Sequence, residues 1–161
     1  MATYNYSIAY NTNGSIKCYQ FSPASDGIRY FVDNFGTQLI TALSGSGIYL
    51  PVAIAQQCTE SAFGTSNAAR NYNNFGGIMT SGTLKKFSTP QDSFNDYVAT
   101  LISPTKKYIS KGLLAAKTPQ DQLKAIALGG YCTNPPALQY YAQILPTLNL
   151  CLKMFKTGKV S

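Results

Sequence analysis

Apolar side chains recur at intervals of three and four residues over most of the chain, which is the spacing of an amphipathic helix. The first such run follows Ser25, a residue that can cap a helix, and it stops at the glycines of positions 45 and 47. The second begins at Pro51, because proline fits the first turn of a helix, and extends to about Phe63. The same spacing predicts later helices from Asp92 to Pro104, Tyr108 to Ala116, Thr118 to Ala127 and about Ala137 to Phe155, the last one bent at Pro146.

Strand patterns are scarce. Residues 1–24 have no helical period and are predicted to form an irregular arm, with one short strand near Ile16 to Phe21. The segment from Thr80 to Ser88 predicts one small hairpin or no sheet at all. With 161 residues the chain has the length of one domain, and we assign residues 25–161 to it. The expected fold class is mainly α, with five to six helices.

The charge balance is basic, since 13 lysines and arginines against six aspartates and glutamates give a net charge of +7. This excess favours an anionic partner, and the alternatives are nucleic acid, an anionic lipid surface or the bacterial cell wall. The lysines are scattered and form no dense stripe, so we expect no nucleic-acid partner. The chain has no histidine, which excludes Ser-His-Asp and Cys-His catalysis and most zinc sites. We therefore expect neither a metal nor another cofactor.

The four cysteines, Cys18, Cys58, Cys132 and Cys151, match no CxxC metal spacing. Two disulfides and four small buried thiols remain equal alternatives. No apolar run approaches about 18 residues, so no membrane span is expected, and the first residues lack the pattern of a secretory signal. Action outside the cytosol would then require another route of export, or the earlier removal of a signal.

Glu60 is the only glutamate in the chain, and its neighbours Ala55, Gln56, Ala62 and Phe63 are apolar or uncharged. Apolar surroundings raise the pKa of a carboxyl, so that it keeps a proton near neutral pH, as general acid catalysis requires. Glu60 is therefore the leading catalytic candidate. The alternative is a glutamate that simply faces solvent on a helix, where most glutamates lie.

Amide side chains surround this position in the sequence. Gln56 lies one helical turn before Glu60, so we expect it on the same side of the helix, either as a partner of the carboxyl in substrate binding or as a surface amide. After Gly64 comes a loop rich in asparagine. It contains Asn67, Asn71, Asn73 and Asn74 and leads to Phe75 and Gly76. A glutamate facing such a loop has the ingredients of a cleft that binds a neutral ligand with hydroxyl and amide groups.

Four motifs together resemble a known family. The sequence AQQCTESAFG resembles AQAALESGWG of the flagellar-rod and autolysin type of glucosaminidase, a peptidoglycan-cleaving branch of the lysozyme-like superfamily. NNFGGIM resembles NLFGIK, SFNDYVATL resembles ESFxDYxxLL, and YCTNP followed by YYAQIL resembles YATDP and YAxKI. The matches occur in the family's order and cover about residues 25 to 150.

The resemblance implies a mainly α, lysozyme-like α+β fold, with the helices around a cleft and the β-hairpin shortened or absent. It implies binding of alternating N-acetylglucosamine and N-acetylmuramic acid. The catalytic residues that it implies are Glu60 as the acid and Tyr131, which would line the cleft near the reacting sugar. The substrate-binding residues that it implies are Asn74, Phe75, Gly76, Thr133 and Asn134.

The chain also departs from the family pattern, because the segment from Thr80 to Ser88 holds no Asp or Glu where many members carry a second acid. Asp92 and Asp96 lie near a helix start, where the dipole favours anions, and we interpret them as capping residues with a second acid as the alternative. Otherwise the N-acetyl group of the substrate or the 6-hydroxyl of muramic acid could attack the sugar carbon. Asn134 replaces the aspartate of YATDP, so this position carries no charge in this chain.

The sequence thus predicts a peptidoglycan glycosidase that acts in the bacterial wall or periplasm as a monomer. An antibacterial effector, delivered by a secretion machine and blocked by a cognate immunity protein, and a phage wall-degrading enzyme are the two biological settings that we consider. The alternative function is a non-catalytic wall-binding or structural module that keeps the lysozyme-like fold.

Overall fold

The computed structural model describes residues 3–155 and 159–160, and within them it contains six helices and two short hairpins. The mainly α fold class is therefore confirmed. In chain order the elements are β1 (Tyr6–Tyr10), β2 (Ile16–Phe21), α1 (Ala24–Leu43), α2 (Leu50–Ser61), α3 (Asn67–Tyr72), β3 (Met79–Thr80), β4 (Thr83–Leu84), α4 (Pro90–Ile102), α5 (Pro119–Leu128) and α6 (Ala137–Met154).

These elements fall into two compact units. The first unit comprises the described residues of Met1–Leu39 together with Gln57–Phe94. The second comprises Ile40–Gln56 and the described residues of Asn95–Ser161. Helices α1, α2 and α4 therefore each supply residues to both units. The assignment of residues 25–161 to a single domain stays a prediction.

The N-terminal arm is more regular than predicted. The strand expected near Ile16 to Phe21 is present as β2, but it pairs antiparallel with β1, and Tyr6 lies opposite Phe21. The prediction of an irregular arm was wrong because Tyr6, Ile8 and Tyr10 alternate at the period of a strand. The connecting turn is closed by Gly14, which has a φ of +86° and donates its N–H to the carbonyl of Asn11.

Phenylalanine rings form the core of the first unit. The ring of Phe75 lies 4.7 Å from that of Phe35 and 4.9 Å from that of Phe94, both as centroid distances. Phe31 contacts the same group, and Phe31, Phe75 and Phe94 are at most 1% exposed. Edge-on and tilted packing of this kind is the favoured geometry for aromatic pairs. The cluster fixes Phe75, and with it the loop that follows α3.

The asparagine-rich segment is partly helical, which the sequence analysis did not predict. Helix α3 begins after Ser66, whose hydroxyl accepts a hydrogen bond from the N–H of Ala69, and it contains Asn67 and Asn71. Asn73 ends the helix in the left-handed conformation, with a φ of +52°. The prediction of a loop failed because the weak helix propensity of asparagine is offset here by a serine cap and an asparagine that tolerates positive φ.

The short hairpin after Met79 is present, so the first of the two predicted alternatives is confirmed. Strands β3 and β4 pair over two residues each. The tip consists of Ser81 and Gly82, which have φ values of +52° and +81°, as a type I′ turn requires. The tip and most of the hairpin are exposed to solvent.

In the second unit, the side chain of Gln122 in α5 is hydrogen-bonded to two other segments, the loop before α2 and the turns before α5. Its amide nitrogen donates 3.0 Å hydrogen bonds to the carbonyls of Gly47 and Leu113, and its amide oxygen accepts one of 2.7 Å from the N–H of Tyr49. The side chain is completely buried. Buried amides of this kind are stable only when hydrogen-bonded, so Gln122 fixes both segments against α5.

The segment from Tyr108 to Ala116 forms consecutive turns and no regular helix, so the helix predicted there was wrong. Gly112 has a φ of +102°, which interrupts the right-handed helical path, and Leu113 donates its N–H to the carbonyl of Tyr108. The last helix, by contrast, continues through Pro146 and ends at Met154, because Phe155 is extended.

Candidate active site

Glu60 lies in the last turn of α2, in the first unit, and its side chain is half-buried. Gln57 and Cys58 before it are buried, while Thr59 faces solvent. The helix ends at Ser61, whose hydroxyl donates a 2.5 Å hydrogen bond to the carbonyl of Gln57. Half burial leaves part of the Glu60 side chain accessible to a ligand.

The chain turns sharply directly after Glu60. Ala62, Phe63 and Gly64 have φ values of +49°, +60° and +83°, so three consecutive residues are left-handed. Glycine adopts this conformation freely, but for alanine and phenylalanine it is uncommon and costs about 1–2 kcal/mol each. Backbone strain of this kind is concentrated at functional sites.

Asn74 is completely buried and holds the base of the β3–β4 hairpin. Its amide nitrogen donates to the carbonyls of Ile78 (2.8 Å) and Lys85 (2.9 Å), and its oxygen accepts from the N–H of Ile78 (3.0 Å). Both amide hydrogens are therefore used within the protein. The next residue, Phe75, is 1% exposed and donates its N–H to the hydroxyl of Ser93. Gly76 is half-buried and is the most accessible of these three positions.

The two candidate second acids have different surroundings. Asp92 is exposed in the first turn of α4, and its N–H donates to the hydroxyl of Thr89, so the chain around it forms the start of the helix. Asp96 belongs to the second unit and is half-buried. Of the other acids in the first unit, Asp26 has a pKa below its ordinary value because it accepts hydrogen bonds from the N–H of Asn5 and from Arg29.

Tyr131 lies within a group of four tyrosines in the second unit. Its ring centroid is 6.0 Å from that of Tyr140, in a stacked arrangement, and 6.3 Å from those of Tyr97 and Tyr108. Those three tyrosines are buried, whereas Tyr131 is half-buried. Burial also raises the pKa of the Tyr108 phenol above its ordinary value. The group therefore fixes the ring of Tyr131 and leaves part of it accessible.

Gln56 joins two members of this tyrosine group. Its amide oxygen accepts a 2.5 Å hydrogen bond from the hydroxyl of Tyr97, and its nitrogen donates a 3.2 Å hydrogen bond to that of Tyr140. Gln56 is completely buried, so the alternative of a surface amide was wrong. Sequence reasoning missed Tyr97 and Tyr140, and their only signal was a polar aromatic residue at a core position of a predicted helix.

Thr133 and Asn134 are exposed in the loop between Tyr131 and α6. The carbonyl of Asn134 accepts a 3.2 Å hydrogen bond from the thiol of Cys132, which gives the loop one internal contact. Their exposure leaves both side chains available to a ligand.

None of the four cysteines forms a disulfide, which excludes the first alternative left by the sequence, and of the four thiols Cys18 and Cys132 are only half-buried. Cys58 and Cys151 are buried, and burial raises the pKa of Cys151 to about 12. No group of three or more Cys, Asp or Glu side chains that could hold a metal ion is found within residues 3–155 and 159–160. Over the same residues, no helix has the length and apolar character needed to cross a membrane.

Residues 36–150 match the family model named Glucosaminidase, described as mannosyl-glycoprotein endo-beta-N-acetylglucosaminidase. This match covers well over half of the chain. The chain belongs to the glucosaminidase family. The predictions of this family and of a glycoside hydrolase are therefore confirmed. Hairpin β1–β2 lies before the segment that the glucosaminidase model matches.

Solved structures similar to this glucosaminidase share its fold. The catalytic domain of the autolysin Auto from Listeria monocytogenes has a TM-score of 0.60 and 22% identity, over 78% of this chain and 86% of that chain. The glycoside hydrolase domain of FlgJ from Salmonella typhimurium has a TM-score of 0.60 and 19% identity, over 79% and 89%. A chain from a type VI secretion system effector–immunity complex of Pseudomonas protegens has a TM-score of 0.58 and 16% identity, over 79% and 94%.

At these identities the similarity establishes the fold, and the predicted lysozyme-like architecture is confirmed. A comparison with curated protein sequences gave no significant match.

Proposed function

We propose that this glucosaminidase cleaves the glycan backbone of peptidoglycan, with Glu60 as the proton donor to the glycosidic oxygen. The observation that carries the proposal is that the only glutamate of the chain is half-buried at the end of α2, within the segment that matches the family. A proton donor must be accessible to its substrate and partly shielded from water, and this position offers both. The net charge of +7 also favours a polymer rich in phosphate and carboxylate groups.

The second chemical group is assigned to the substrate. Hairpin β3–β4 carries no carboxylate, and Asp92 is exposed at a helix start. In the proposed reaction, the N-acetyl oxygen or the 6-hydroxyl of the sugar attacks the anomeric carbon. The bond from that carbon to the glycosidic oxygen breaks, and this oxygen takes the proton of Glu60. The resulting Glu60 carboxylate takes a proton back, either from the water that opens the cyclic N-acetyl intermediate or from the 6-hydroxyl as it closes the anhydro ring. Substrate-assisted routes of this kind need one protein acid instead of the usual pair.

The sugar contacts are assigned to accessible groups. Tyr131 has a fixed and partly accessible ring, and Gly76, Thr133 and Asn134 have accessible positions. Pyranose rings are bound in proteins through aromatic faces and a few polar groups. In this proposal Asn74, Phe75 and Gln56 act indirectly, because their buried side chains hold the loop and the tyrosines in place.

The test is digestion of purified peptidoglycan, followed by mass spectrometry of the released fragments. Reducing ends at N-acetylglucosamine indicate glucosaminidase action, those at N-acetylmuramic acid muramidase action, and anhydro-muramic ends the route through the 6-hydroxyl. Glu60→Gln should abolish release while the free energy of unfolding changes by less than about 1 kcal/mol, because the substitution leaves no cavity. A folded Glu60→Gln variant with full activity would remove Glu60 from the mechanism. No release by the wild type would favour the wall-binding module.

We further propose that the protein is an antibacterial effector and that a cognate immunity protein is its partner. Its support is the fold similarity to a chain from a type VI effector–immunity complex. Expression with a periplasmic signal in a Gram-negative host should lyse the cells, and expression without that signal should not. The Glu60→Gln variant should be harmless in both compartments. Equal growth with the wild type and the variant in the periplasm would contradict this role.

A further inference from the structure

The N-terminal hairpin β1–β2 is hydrogen-bonded to the turn of residues 62–65, which follows Glu60. Both the hairpin and the turn belong to the first unit. We propose that Thr65 is a positioning residue for Glu60, through which this hairpin holds the end of α2 in its catalytic conformation. The inference rests on the proposed role of Glu60. It also gives a structural role to hairpin β1–β2, which lies outside the family match of residues 36–150.

The first link is the hydroxyl of Thr65, a side chain that is 1% exposed. Its oxygen accepts a 2.9 Å hydrogen bond from the N–H of Tyr19 in β2. The same hydroxyl donates a 2.6 Å hydrogen bond to the carbonyl of Ala62, two residues after Glu60. One buried hydroxyl therefore joins the strand to the turn.

This turn needs external bonds because it is strained. Ala62 and Phe63 are left-handed, at a cost of about 1–2 kcal/mol each. The turn is attached to α2 through Ser61, whose hydroxyl accepts a 2.8 Å hydrogen bond from the N–H of Gly64, and whose carbonyl accepts one of 3.0 Å from that of Thr65. A strained conformation persists only when its surroundings fix it, and here it adjoins Glu60 directly.

The second link is the guanidinium of Arg70. Its Nε donates a 2.7 Å hydrogen bond to the carbonyl of Thr65, and a terminal nitrogen donates one of 2.7 Å to that of Ile16 in β2. Arg70 is one of only two arginines, the other being Arg29, among 13 basic residues. Arginine reaches the two carbonyls with separate nitrogens of one rigid fork, whereas lysine carries all its donors on a single nitrogen at the end of a flexible chain.

The third link is the ring of Phe63. Its centroid lies 5.4 Å from that of Phe21 in β2, in an edge-on arrangement. A Cβ atom built at Gly27 of α1 would lie only 2.7 Å from this ring, so the ring rests directly on the helix backbone. Phe63 is thus held between the hairpin and α1, which resists any relaxation of the left-handed turn.

The experiment compares Thr65→Val, which keeps the shape and removes the hydroxyl, with Thr65→Ser, which restores the hydroxyl. The matched control is Thr118→Val, because Thr118 caps α5 in the second unit by accepting the N–H of Asp121. The measurements are kcat and KM on soluble peptidoglycan fragments, and the melting temperature of each variant. We expect Thr65→Val to lower kcat about tenfold to a hundredfold, with KM changed less than about twofold. Thr65→Ser should restore kcat, and Thr118→Val should lose stability without losing kcat.

Arg70→Lys provides a second measurement if Thr65→Val does not fold, with Arg29→Lys as its control. Arg29 pairs with Asp26 and makes no hydrogen bond to the turn among those observed. Arg70→Lys should lower kcat in the same selective way. If Thr65→Val folds and its kcat equals that of Thr118→Val, the proposal is overturned. If Thr65→Val does not fold, the proposal is overturned when the kcat of Arg70→Lys equals that of Arg29→Lys. A fully active Glu60→Gln variant instead contradicts the proposed function itself, so the two failures are distinguishable.

Discussion

The hydroxyl of Tyr97 donates a 2.5 Å hydrogen bond to the amide oxygen of Gln56, and both side chains are buried. The amide nitrogen of Gln56 donates in turn to the hydroxyl of Tyr140. Tyr131 packs its ring against the rings of both tyrosines. The orientation of Tyr131, the accessible member of the group, therefore depends on an amide that has no access to solvent.

Replacing Gln56 by leucine should destabilise the protein by about 1–3 kcal/mol, because two buried tyrosine hydroxyls lose the amide that they share. Chemical denaturation of the variant measures this loss. Gln143→Leu, at an exposed position of α6, is the control and should change stability by less than about 0.5 kcal/mol. Equal unfolding free energies for the two variants would show that the bridge contributes nothing.

Tyr131→Phe should lower kcat/KM by about twofold to tenfold, since one hydrogen bond to a sugar contributes about 0.5–1.5 kcal/mol. The ring contacts with the neighbouring tyrosines are kept, so the variant should remain folded, and its melting temperature is measured beside the kinetics. Tyr141→Phe on α6 is a control for removal of a phenol elsewhere in the second unit. Unchanged kinetics for Tyr131→Phe would make Tyr131 a packing residue.

Asn74→Asp should loosen hairpin β3–β4 and cost about 1–3 kcal/mol. The substitution removes both N–H donors and turns an anionic oxygen toward the carbonyls of Ile78 and Lys85. Hydrogen exchange at the N–H of Lys85, which bonds to the carbonyl of Ile78, reports the loosening. Asn71→Asp makes the same chemical change at an exposed position of α3. If both variants melt at the same temperature, the structural role of Asn74 is refuted.

The thiols should differ in reactivity. Iodoacetamide at pH 8 should modify Cys18 and Cys132 in the folded protein, and Cys58 and Cys151 only after denaturation. Burial raises the pKa of Cys151 from 9.0 to about 12, so its contribution to stability is present below pH 9 and is lost as the pH rises toward 12. Mass spectrometry of the labelled peptides measures how far each of the four thiols is modified. Equal labelling of Cys151 and Cys132 in the folded state would contradict the burial.

Local pattern predicted most of the helices, because a helix buries one face and repeats its apolar residues along that face. Helices α1, α2, α4, α5 and α6 lie where the spacing indicated. The apolar spacing failed as a predictor around Gly112, because this one residue with positive φ interrupts the helical path despite the apolar spacing on either side. It also failed at α3, where a cap and an αL asparagine outweigh weak helix formers. In both cases backbone conformation at one or two residues decided the outcome.

The amino-acid order was enough to single out Glu60 as the sole glutamate, to place it near the end of a helix, and to reveal the family's motifs in order. The folded chain was needed to show that Gln56 is a buried bridge between tyrosines, and that Thr65 connects the N-terminal hairpin to the turn after Glu60. The contact between Gln56 and Tyr140 joins residues 84 positions apart, and the contact between Tyr19 and Thr65 joins residues 46 positions apart. Helical periodicity records which face of a segment is buried, but not which distant donor or acceptor meets a given side chain.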